Sequence, residues 1–257
     1  MNTNILCIGS VLWDVIGRAP RELHEGADVA GVITRLPGGV AFNIAKTCAQ
    51  FGLHPILLSV VGQDHPGDEL LDACTQMGLV TEHVLRAVDQ STDRYMAVEG
   101  TNGVMSAIAD ARTLEAAGDT ILDPLIDGTL ATAEDPYTGL VSLDGNLTQE
   151  LLTQLAYNPI LDKADLRLAP ASPGKAKRLT PFVDVGRGAL YVNCEEASLL
   201  CGMWFETSQA AAETLVDRGA ARAIVTHGGN AATDATREGA VSAAPVSRRT
   251  STRAGAA

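Results

Sequence analysis

The chain has 257 residues, 46% of them hydrophobic and 19% charged, which is typical of a packed globular protein with one large α/β domain or two small ones. A formal net charge of −12 argues against a nucleic-acid surface, because neutralising phosphates requires clustered lysine and arginine. No apolar run approaches the roughly 20 residues that a membrane-crossing helix needs, and no signal segment is recognised at the N-terminus.

The cysteines point to a reducing compartment. None of the five belongs to a Cys-x-x-Cys pair, and Cys7, Cys48 and Cys194 lie in apolar contexts. We therefore expect neither structural disulfides nor a zinc site, and the five histidines show no metal-ligand spacing. The sequence predicts a cytoplasmic protein that binds neither nucleic acid nor membranes.

The first predicted strand covers residues 5–8 and ends in a turn at Gly9 and Ser10. This turn lacks the Gly-x-Gly-x-x-Gly fingerprint of dinucleotide binding. Asp14 follows just past the strand end, where open α/β sheets bind their ligands, and it can accept hydrogen bonds from sugar hydroxyls. A loop cap is the alternative interpretation of Asp14.

A glycine pair then opens the first predicted helix. Pro37 ends whatever precedes it, and Gly38 and Gly39 permit backbone geometry that a β-carbon forbids. The first amides of a helix have no partner within it, so we expect them to point at a polar ligand, with Asn43 one turn further on. This arrangement suits hydroxyl-rich substrates and anions, and a plain turn is the alternative.

The next segments alternate between strand and helix. We predict a small strand at 29–34, a buried strand at 56–61 and a helix that ends at Gly78. The turn before that helix reads Gly62-Gln63-Asp64-His65-Pro66-Gly67. Strands joined by helices predict a right-handed parallel sheet.

A hairpin interrupts this pattern. Residues 95–98 and 104–108 flank the turn signal Gly100-Thr101-Asn102-Gly103. Such a ribbon often covers a site, and it could form a small separate sheet with the strand near Ile33. Arg94 and Asp110, at the ends of the hairpin, are candidate ligand contacts or else solvated charges.

Alternation between strand and helix then resumes to the end of the chain. Strands are predicted at 140–143, 166–169, 190–192 and 223–225, with edge strands at Thr233 and 240–243. Helices are predicted after Thr148, after Asn193 and over 210–216. Six or so parallel strands with helices between them predict a doubly wound sheet.

Several of these motifs, taken in order, resemble the ribokinase-like (PfkB) family of sugar and nucleoside kinases. The residues that carry the resemblance are Asp14, Gly38-Gly39 with Asn43, Gly62-x-Asp64-x-x-Gly67, Asn193-x-x-Glu196 and Thr226-x-Gly228. The resemblance extends from about residue 4 to about residue 246. Within the family, residues 105–110 and 170–176 look most similar to the pseudouridine kinase branch.

The resemblance implies a single α/β domain over residues 1–257. Its fold is a three-layer, doubly wound, mostly parallel sheet with a small β-sheet lid formed by segments about 12–36 and 91–110. The implied sugar contacts are Asp14, Gly38, Gly39 and Asn43, with Arg94 and Asp110 brought in by the lid. A homodimer through the lid is also implied.

The same resemblance implies ATP and Mg²⁺ as cofactors, with a monovalent cation such as K⁺ as a further candidate. Asn193, Thr226, Gly228, Gly229 and Lys175 are the implied nucleotide contacts. Glu196 and Asn193 would organise Mg²⁺ through waters. A solvated lysine on a turn is the alternative for Lys175.

One family motif is not found. Kinases of this family carry Gly-Ala-Gly-Asp, whose amides form an anion hole and whose aspartate is the general base. Residues 247–257 contain only the partial match Ala254-Gly255-Ala256, with no aspartate after it. We therefore identify no catalytic residue and expect the C-terminal part of the family fold to be absent, through a shifted reading frame or a truncation. The chain is then expected to bind substrate better than it phosphorylates it.

The favoured function is ATP-dependent phosphorylation of a hydroxyl on a sugar or nucleoside. Pseudouridine, converted to its 5′-phosphate, is the first candidate acceptor, and ribokinase-type or adenosine-kinase-type substrates are alternatives. A non-catalytic sugar or nucleoside binder on the same scaffold is a second reading. An unrelated α/β dehydrogenase or hydrolase is disfavoured, because neither Gly-x-Gly-x-x-Gly nor Gly-x-Ser-x-Gly is present.

Overall fold

The structure is a computed structural model that describes residues 3–245. The expectations about residues 246–257, including Ala254-Gly255-Ala256, lie outside the described residues. The strands are β1 (Asn4–Ile8), β2 (Leu12–Arg18), β3 (Val32–Gly38), β4 (His54–Leu58), β5 (Val60–Gly62), β6 (Leu85–Ala87), β7 (Arg94–Gly100), β8 (Gly103–Asp110), β9 (Leu140–Asp144), β10 (Asp165–Ala169), β11 (Ala189–Asn193), β12 (Arg222–Thr226), β13 (Ala232–Thr236) and β14 (Gly239–Ala243). The α-helices are α1 (Val40–Gln50), α2 (His65–Gln76), α3 (Arg112–Ala117), α4 (Gln149–Tyr157), α5 (Thr180–Val185), α6 (Cys194–Cys201) and α7 (Ser208–Asp217). Three 3-10 helices cover Gly118–Leu125, Pro159–Leu161 and Pro173–Leu179.

The large sheet has eight strands in the order β14-β13-β12-β11-β10-β9-β1-β4. The six from β12 to β4 are parallel, and β13 and β14 are antiparallel at one edge. This confirms the predicted doubly wound, mostly parallel sheet. The buried apolar runs of the sequence form these strands because both faces of a parallel sheet are covered by helices.

Alternation along the strands divides the interior into two cores. Leu6 and Ile8 of β1 point into a core built with α4, α5, α6 and α7, whereas Ile5 and Cys7 point into a second core built with α1 and α2. Two cores on opposite faces of one sheet give the three layers that the sequence predicts.

A separate small sheet has the order β3-β2-β7-β8. Strands β7 and β8 form the predicted hairpin, and Gly103 in its turn has φ +100°. The prediction for Asp14 was wrong in one respect, because Asp14 lies within β2 of this sheet and not in a loop of the large one. The predicted strand at 29–34 is also displaced, since β3 begins at Val32 and extends to Gly38.

Pro37 does not end the preceding element, as predicted, but lies inside β3 opposite Trp13. Strand β3 is at the edge of the small sheet. An edge strand is hydrogen-bonded on one side only, so it tolerates a residue without an amide hydrogen. The chain therefore reaches the glycine pair as a strand and turns directly into α1.

The strand predicted at 56–61 is two strands. Strand β4 pairs with β1, whereas β5 pairs with β6 in a small parallel sheet of its own. Between them, the Ser59 hydroxyl donates to the Gly9 carbonyl at 2.5 Å and the Ser59 carbonyl accepts from Leu85 at 2.9 Å. The backbone changes partner at this serine, which an apolar run cannot reveal.

The residues predicted to begin α4 and to end α2 are confirmed. The Thr148 hydroxyl accepts from the Leu151 amide at 3.1 Å and caps α4, and Gly78 follows α2 with φ +82°. Helix α3 begins where the Asp93 carboxylate accepts from the amides of Thr113 and Leu114, both at 2.9 Å. No helix within residues 3–245 has the length and apolarity required to cross a membrane.

Candidate active site

A cavity of about 280 Å³ lies at the carboxyl edge of the large sheet, against the small sheet. Its polar side chains come from four parts of the chain, and they are Asp14 and Tyr95 of the small sheet, Asn43 of α1, Asn146 after β9, and Ser172 and Lys175 after β10. Open parallel sheets bind ligands at this edge. The structure thus brings Asp14, Gly39, Asn43 and Lys175, all predicted site residues, to one cavity.

The Asp14 carboxylate lines this cavity without a hydrogen-bond partner among the described residues. Burial raises the pKa of Asp14 above its ordinary value, and no hydrogen bond from a residue in 3–245 counteracts that effect. A β-carbon on Gly38 would overlap the Asp14 carboxylate. The first glycine of the pair is therefore required by the close approach of the Asp14 carboxylate.

The second glycine allows the start of α1 to pack on Ser10. Gly39 has φ +97°, and a β-carbon there would overlap the Ser10 carbonyl. The Val40 amide donates to Ser10 Oγ at 2.9 Å and the Phe42 amide donates to the Ser10 carbonyl at 3.3 Å. The prediction that the first helical amides point at a ligand is wrong for these two, because Ser10 already accepts from them.

A buried polar network connects this helix start to the end of β9. Asp144 Oδ2 accepts from the Ser10 amide at 2.8 Å and from Ser10 Oγ at 2.5 Å. Asp144 Oδ1 accepts from the Asn146 amide at 2.8 Å. Burial raises the pKa of Asp144, although the hydrogen bonds from Ser10 and Asn146 oppose that shift.

Asn146 extends the network to Lys175. Asn146 Nδ2 donates to Ser10 Oγ at 2.9 Å, and Asn146 Oδ1 accepts from Lys175 Nζ at 2.6 Å. Burial lowers the pKa of Lys175, with the neighbouring Arg178 charge acting in the same direction. Sequence reasoning missed the roles of Ser10, Asp144 and Asn146, although all three follow or end strands at the ligand-binding edge.

Arg94 and Asp110 lie opposite each other at the open ends of β7 and β8. Their neighbours Tyr95 and Ala109 line the cavity, so strand alternation directs Arg94 and Asp110 to the other face of the small sheet. Asp110 pairs with Arg112, at 2.8 Å between Oδ1 and Nε, and this hydrogen bond lowers the pKa of Asp110.

The Asn193-x-x-Glu196 motif forms a capping box at the start of α6. Asn193 Oδ1 accepts from the Glu196 amide at 2.9 Å, and Glu196 Oε2 accepts from the Asn193 amide at 2.8 Å. Burial raises the pKa of Glu196. The motif therefore has a structural function in addition to any role in binding.

Glu196 also bears on whether the site fits Mg²⁺. The capping box uses Oε2 of this carboxylate and leaves Oε1 for a water or an ion. Within residues 3–245, no cluster of three or more His, Cys, Asp or Glu side chains could hold a metal. Mg²⁺ commonly binds through one or two carboxylates, waters and substrate phosphates, so a single carboxylate fits an ion delivered with a nucleotide.

The predicted nucleotide residues are neighbours on the sheet. Asn193 at the end of β11 is in register with Thr226 at the end of β12. Gly228 has φ +55°, and the space beside Gly228 and Gly229 is open. An exposed glycine turn at the carboxyl edge can approach phosphates with its backbone amides. Lys175, also a predicted nucleotide contact, lines the cavity from the segment after β10, the strand next to β11.

Gly62, Asp64 and Gly67 do not line the cavity. Asp64 Oδ1 accepts from the Gly67 amide and Oδ2 from the Thr92 amide, both at 2.9 Å. A β-carbon on Gly62 would lie 2.6 Å from the Thr92 nitrogen. This motif fastens α2 to the segment that leads into β7, and so supports the small sheet.

A doubly wound sheet with a small second sheet beside a polar cavity is the architecture of ribokinase-like sugar kinases. The model of the pfkB family carbohydrate kinases matches residues 2–252, and the chain belongs to this family.

Curated relatives agree with that assignment. The chain is 33% identical over 148 residues to "Uncharacterized sugar kinase YeiI" of Escherichia coli. The matched segment is 56% of this chain and 39% of that protein. The chain is 32% identical over 100 residues to a pseudouridine kinase of Arabidopsis thaliana, covering 39% of this chain and 26% of that protein. The matched segments thus span less than half of these relatives.

Solved structures share the fold at lower identity. A carbohydrate kinase from Agrobacterium tumefaciens superposes with a TM-score of 0.74 at 22% identity, covering 96% of this chain and 77% of that one. An Arabidopsis thaliana ribokinase in complex with ribose and ATP superposes with a TM-score of 0.74 at 18% identity, covering 96% of this chain and 79% of that one.

Proposed function

We propose that the protein binds a sugar or nucleoside in the cavity and transfers the γ-phosphoryl group of ATP to one of its hydroxyls. The observation that carries this proposal is the half-buried carboxylate of Asp14, to which no residue in 3–245 donates a hydrogen bond, in a cavity that Asn43 and Lys175 also line. A buried acceptor without a donor is unfavourable until a ligand supplies one. Vicinal hydroxyls are donors that fit this need.

The chemistry consists of one in-line displacement. The acceptor oxygen forms a bond to the γ-phosphorus, the bond from that phosphorus to the β–γ bridging oxygen breaks, and ADP leaves with the electron pair. The hydroxyl proton is released to water or to a carboxylate base. Because such transition states are loose, the protein contributes mainly position and compensation of charge.

The ends of β11 and β12 are the proposed nucleotide side. Thr226, Gly228 and Gly229 would contact the phosphates, next to Asn193. Glu196 would hold Mg²⁺ through water, and the ion would supply neutralisation of phosphate charge. On this arrangement, the two substrates approach along the same edge of the sheet from opposite ends.

Pseudouridine is the acceptor we propose first. The Arabidopsis thaliana relative named as a pseudouridine kinase supports this choice, and Tyr95 gives the cavity an aromatic wall on which a base can stack. Ribose and adenosine are the competing acceptors. Each would use Asp14 and Asn43 for its hydroxyls, so the choice between them depends on the rest of the cavity wall.

Binding and turnover must be measured separately to test the proposal. Calorimetry with pseudouridine, ribose and adenosine tests acceptor binding, and the same compounds with saturating Mg-ATP test phosphorylation. We expect one of these compounds to bind with a saturable binding curve. We expect that binding to depend on the Asp14 carboxylate. If none of the three binds, the proposed function is wrong.

The turnover arm also separates a kinase from a non-catalytic binder. The sequence-based expectation is that this 257-residue chain binds an acceptor better than it phosphorylates it. Turnover at ordinary kinase rates, about 1–100 per second, would contradict that expectation and support the kinase. Binding without turnover would favour the binder.

We further propose a homodimer that pairs through the small sheet. Met96 and Ile108 are paired across β7 and β8 and are 45% and 61% exposed. Exposed apolar side chains on one sheet face are typical of an interaction surface. Sedimentation analysis tests this proposal, and a monomer at all concentrations would exclude it.

We also propose a reducing cytoplasm as the location of the protein. The five cysteines, which form no disulfide, are in keeping with such a compartment.

A further inference from the structure

We infer that Arg35 and Glu69, which do not line the cavity, are positioning residues for acceptor binding, because they hold Trp13 in place and through it the neighbouring Asp14. This inference rests on the proposed function and extends it to the opposite face of the small sheet. Asp14 would contact the acceptor, whereas Trp13, Arg35 and Glu69 would determine where the Asp14 carboxylate lies.

All four places where the small sheet joins the rest of the chain lie at one of its ends. Strands β2 and β7 begin at that end, and β3 and β8 finish there. Leu12 is accordingly in register with Gly38, and Arg94 with Asp110. Asp14 is the third residue of β2, close to this end. Contacts that fix this end of the small sheet therefore fix the Asp14 carboxylate relative to the rest of the cavity.

Trp13 and Asp14 face opposite sides of the small sheet, as neighbours in a strand do. Asp14 lines the cavity, whereas Trp13 packs in the core built with α1 and α2 and is only 8% exposed. The Trp13 indole donates from Nε1 to the Pro66 carbonyl, in the first turn of α2, at 2.8 Å. A movement of the indole against α2 would therefore displace Asp14, one residue further along the same strand.

Arg35 covers the Trp13 indole. It is in register with Val15, two residues from Trp13 along β2, so it lies on the same face of the small sheet as Trp13. The Arg35 guanidinium carbon is 4.1 Å from the centroid of the indole ring, which is a cation–π contact. Glu69 of α2 in turn accepts from Arg35 Nη2 at 2.6 Å. Two contacts thus bind the indole to α2, one directly through Pro66 and one through Arg35 and Glu69.

The ion pair between Arg35 and Glu69 is suited to positioning more than to stabilising the fold. Their side chains are 46% and 37% exposed, and exposed ion pairs contribute little to the free energy of unfolding. Binding is more sensitive, because a ligand requires its contacts at a defined distance and direction. Loss of the pair should therefore affect acceptor binding while the fold remains intact.

Arg35→Met tests the role in binding, since it removes the cation and keeps an unbranched side chain. Calorimetry with pseudouridine, ribose and adenosine measures the affinity. For whichever acceptor binds the wild-type protein, we expect Arg35→Met to weaken binding about threefold to tenfold, which is less than the roughly 100-fold that a 1 Å misplacement can cost. Arg35→Lys retains the cation and should restore part of the affinity.

Asp68→Asn is the matched control. Asp68 is the neighbour of Glu69 on α2, and its carboxylate accepts from Arg86 Nη2 at 2.6 Å, in an ion pair that joins α2 to β6 instead of to the small sheet. Asp68→Asn should leave the acceptor affinity unchanged. Thermal unfolding of both variants shows whether the two ion pairs contribute equally to stability.

Trp13 fluorescence gives a second measurement that needs no acceptor. The chain has two tryptophans, and Trp204 is 75% exposed. In a Trp204→Phe background, all indole emission comes from Trp13. We expect Arg35→Met to raise the acrylamide quenching constant of Trp13 about twofold or more, because the arginine side chain no longer covers the ring. Asp68→Asn in the same background should not change it.

Glu69→Gln tests whether Glu69 acts through Arg35. On its own it should weaken acceptor binding by about twofold to threefold, in keeping with an exposed ion pair. In the Arg35→Met background it should have no further effect. Additive losses would overturn the role of Glu69, since they would show that the two residues act independently.

The outcomes separate this inference from the proposed function. If an acceptor binds the wild-type protein and Arg35→Met leaves its affinity unchanged, or Asp68→Asn weakens it equally, the inference is wrong and the proposed function stands. An unchanged quenching constant in Arg35→Met would also overturn the inference, because Arg35 would then not hold Trp13. If none of the three acceptors binds the wild-type protein, the proposed function is wrong and the inference falls with it.

Discussion

The Asp14 carboxylate is held in an environment that disfavours its charge. Burial raises its pKa, and its surroundings within residues 3–245 supply no hydrogen bond to compensate. Gly38 permits this placement by leaving room for the carboxylate. An unsatisfied charge of this kind reduces stability in the free protein and becomes favourable when a ligand donates to it.

Asp14→Asn should therefore separate binding from folding. We expect acceptor affinity to fall roughly 10–100-fold, because a hydrogen bond to a charged group contributes about 1.5–3 kcal/mol. The free energy of unfolding should stay the same or rise, since the buried charge is removed. Calorimetry and denaturant unfolding provide the two measurements.

Asp72→Asn on α2 is the control, because Asp72 is exposed and lies outside the cavity. It should change neither quantity. If the free energy of unfolding and the free energy of acceptor binding fell by the same amount in Asp14→Asn, Asp14 would support the fold instead of the ligand.

The raised pKa of Asp14 also predicts opposite pH trends for stability and binding. A folded-state pKa above the ordinary 3.8 means that the folded protein binds this proton more tightly than the unfolded chain. The contribution of Asp14 to stability is therefore complete below pH 3.8 and is lost as the pH rises through the folded pKa. Acceptor affinity needs the carboxylate, so it should rise over the same window, by at most tenfold per pH unit. Calorimetry at stepped pH measures the trend, and Asp14→Asn should lack it.

At the level of single elements, α6 shows how one motif can serve two functions. Asn193 and Glu196 satisfy each other's backbone amides, which accounts for the motif without a ligand. The resemblance to kinases assigns the same residues to nucleotide and Mg²⁺. The two roles predict different responses to a substitution that keeps the cap.

Asn193→Ala should lower the free energy of unfolding by about 1 kcal/mol, as loss of an N-cap usually does. Asn193→Ser keeps the cap and should restore that stability. If Asn193 also contacts the nucleotide, Mg-ATP affinity should remain reduced in Asn193→Ser. Titration calorimetry and thermal unfolding of both variants distinguish the roles, and full recovery of Mg-ATP affinity in Asn193→Ser would make the cap the whole explanation.

The elements also show which features a sequence can predict. The strands of the large sheet follow from short apolar runs, and the caps at Thr148 and Asn193 follow from residue type and spacing. These signals are local, so they are readable in order along the chain. Strand β2 was not predicted from the sequence, because a charged residue, Asp14, interrupts its apolar residues. The break between β4 and β5 was not predicted either, because it depends on the pairing partners of Ser59.

The site was predictable only in part for a related reason. Asp14, Gly39 and Asn43 carry family spacing, and the structure places them together. The contact from Ser10 to Asp144 joins residues 134 positions apart, and no local pattern indicates it. The same applies to Asn146 and Lys175, which meet because β9 and β10 are adjacent in the sheet.

Considered as a whole, the cavity connects two sheets that otherwise make their own hydrogen bonds. The large sheet supplies Asn146 and Lys175 from its carboxyl edge, and the small sheet supplies Asp14 and Tyr95. Strand β8 at the outer edge of the small sheet is exposed from Gly103 to Ala109. Exposed edge strands with few buried contacts open locally at low free energy.

Acceptor binding should therefore protect the small sheet more than the rest of the chain. In hydrogen exchange with and without pseudouridine, amides of β7 and β8 should slow on binding, whereas those of α4 and α7 should change less. At a ligand concentration 100 times Kd, the protein as a whole gains about 2.7 kcal/mol of stability, which limits any protection of globally exchanging amides. Asp14→Asn at the same ligand concentration serves as the control and should show little protection in either region. Protection confined to the helices, with β7 and β8 unchanged, would mean that the ligand binds without engaging the small sheet, and the cavity between the two sheets would not be the acceptor site.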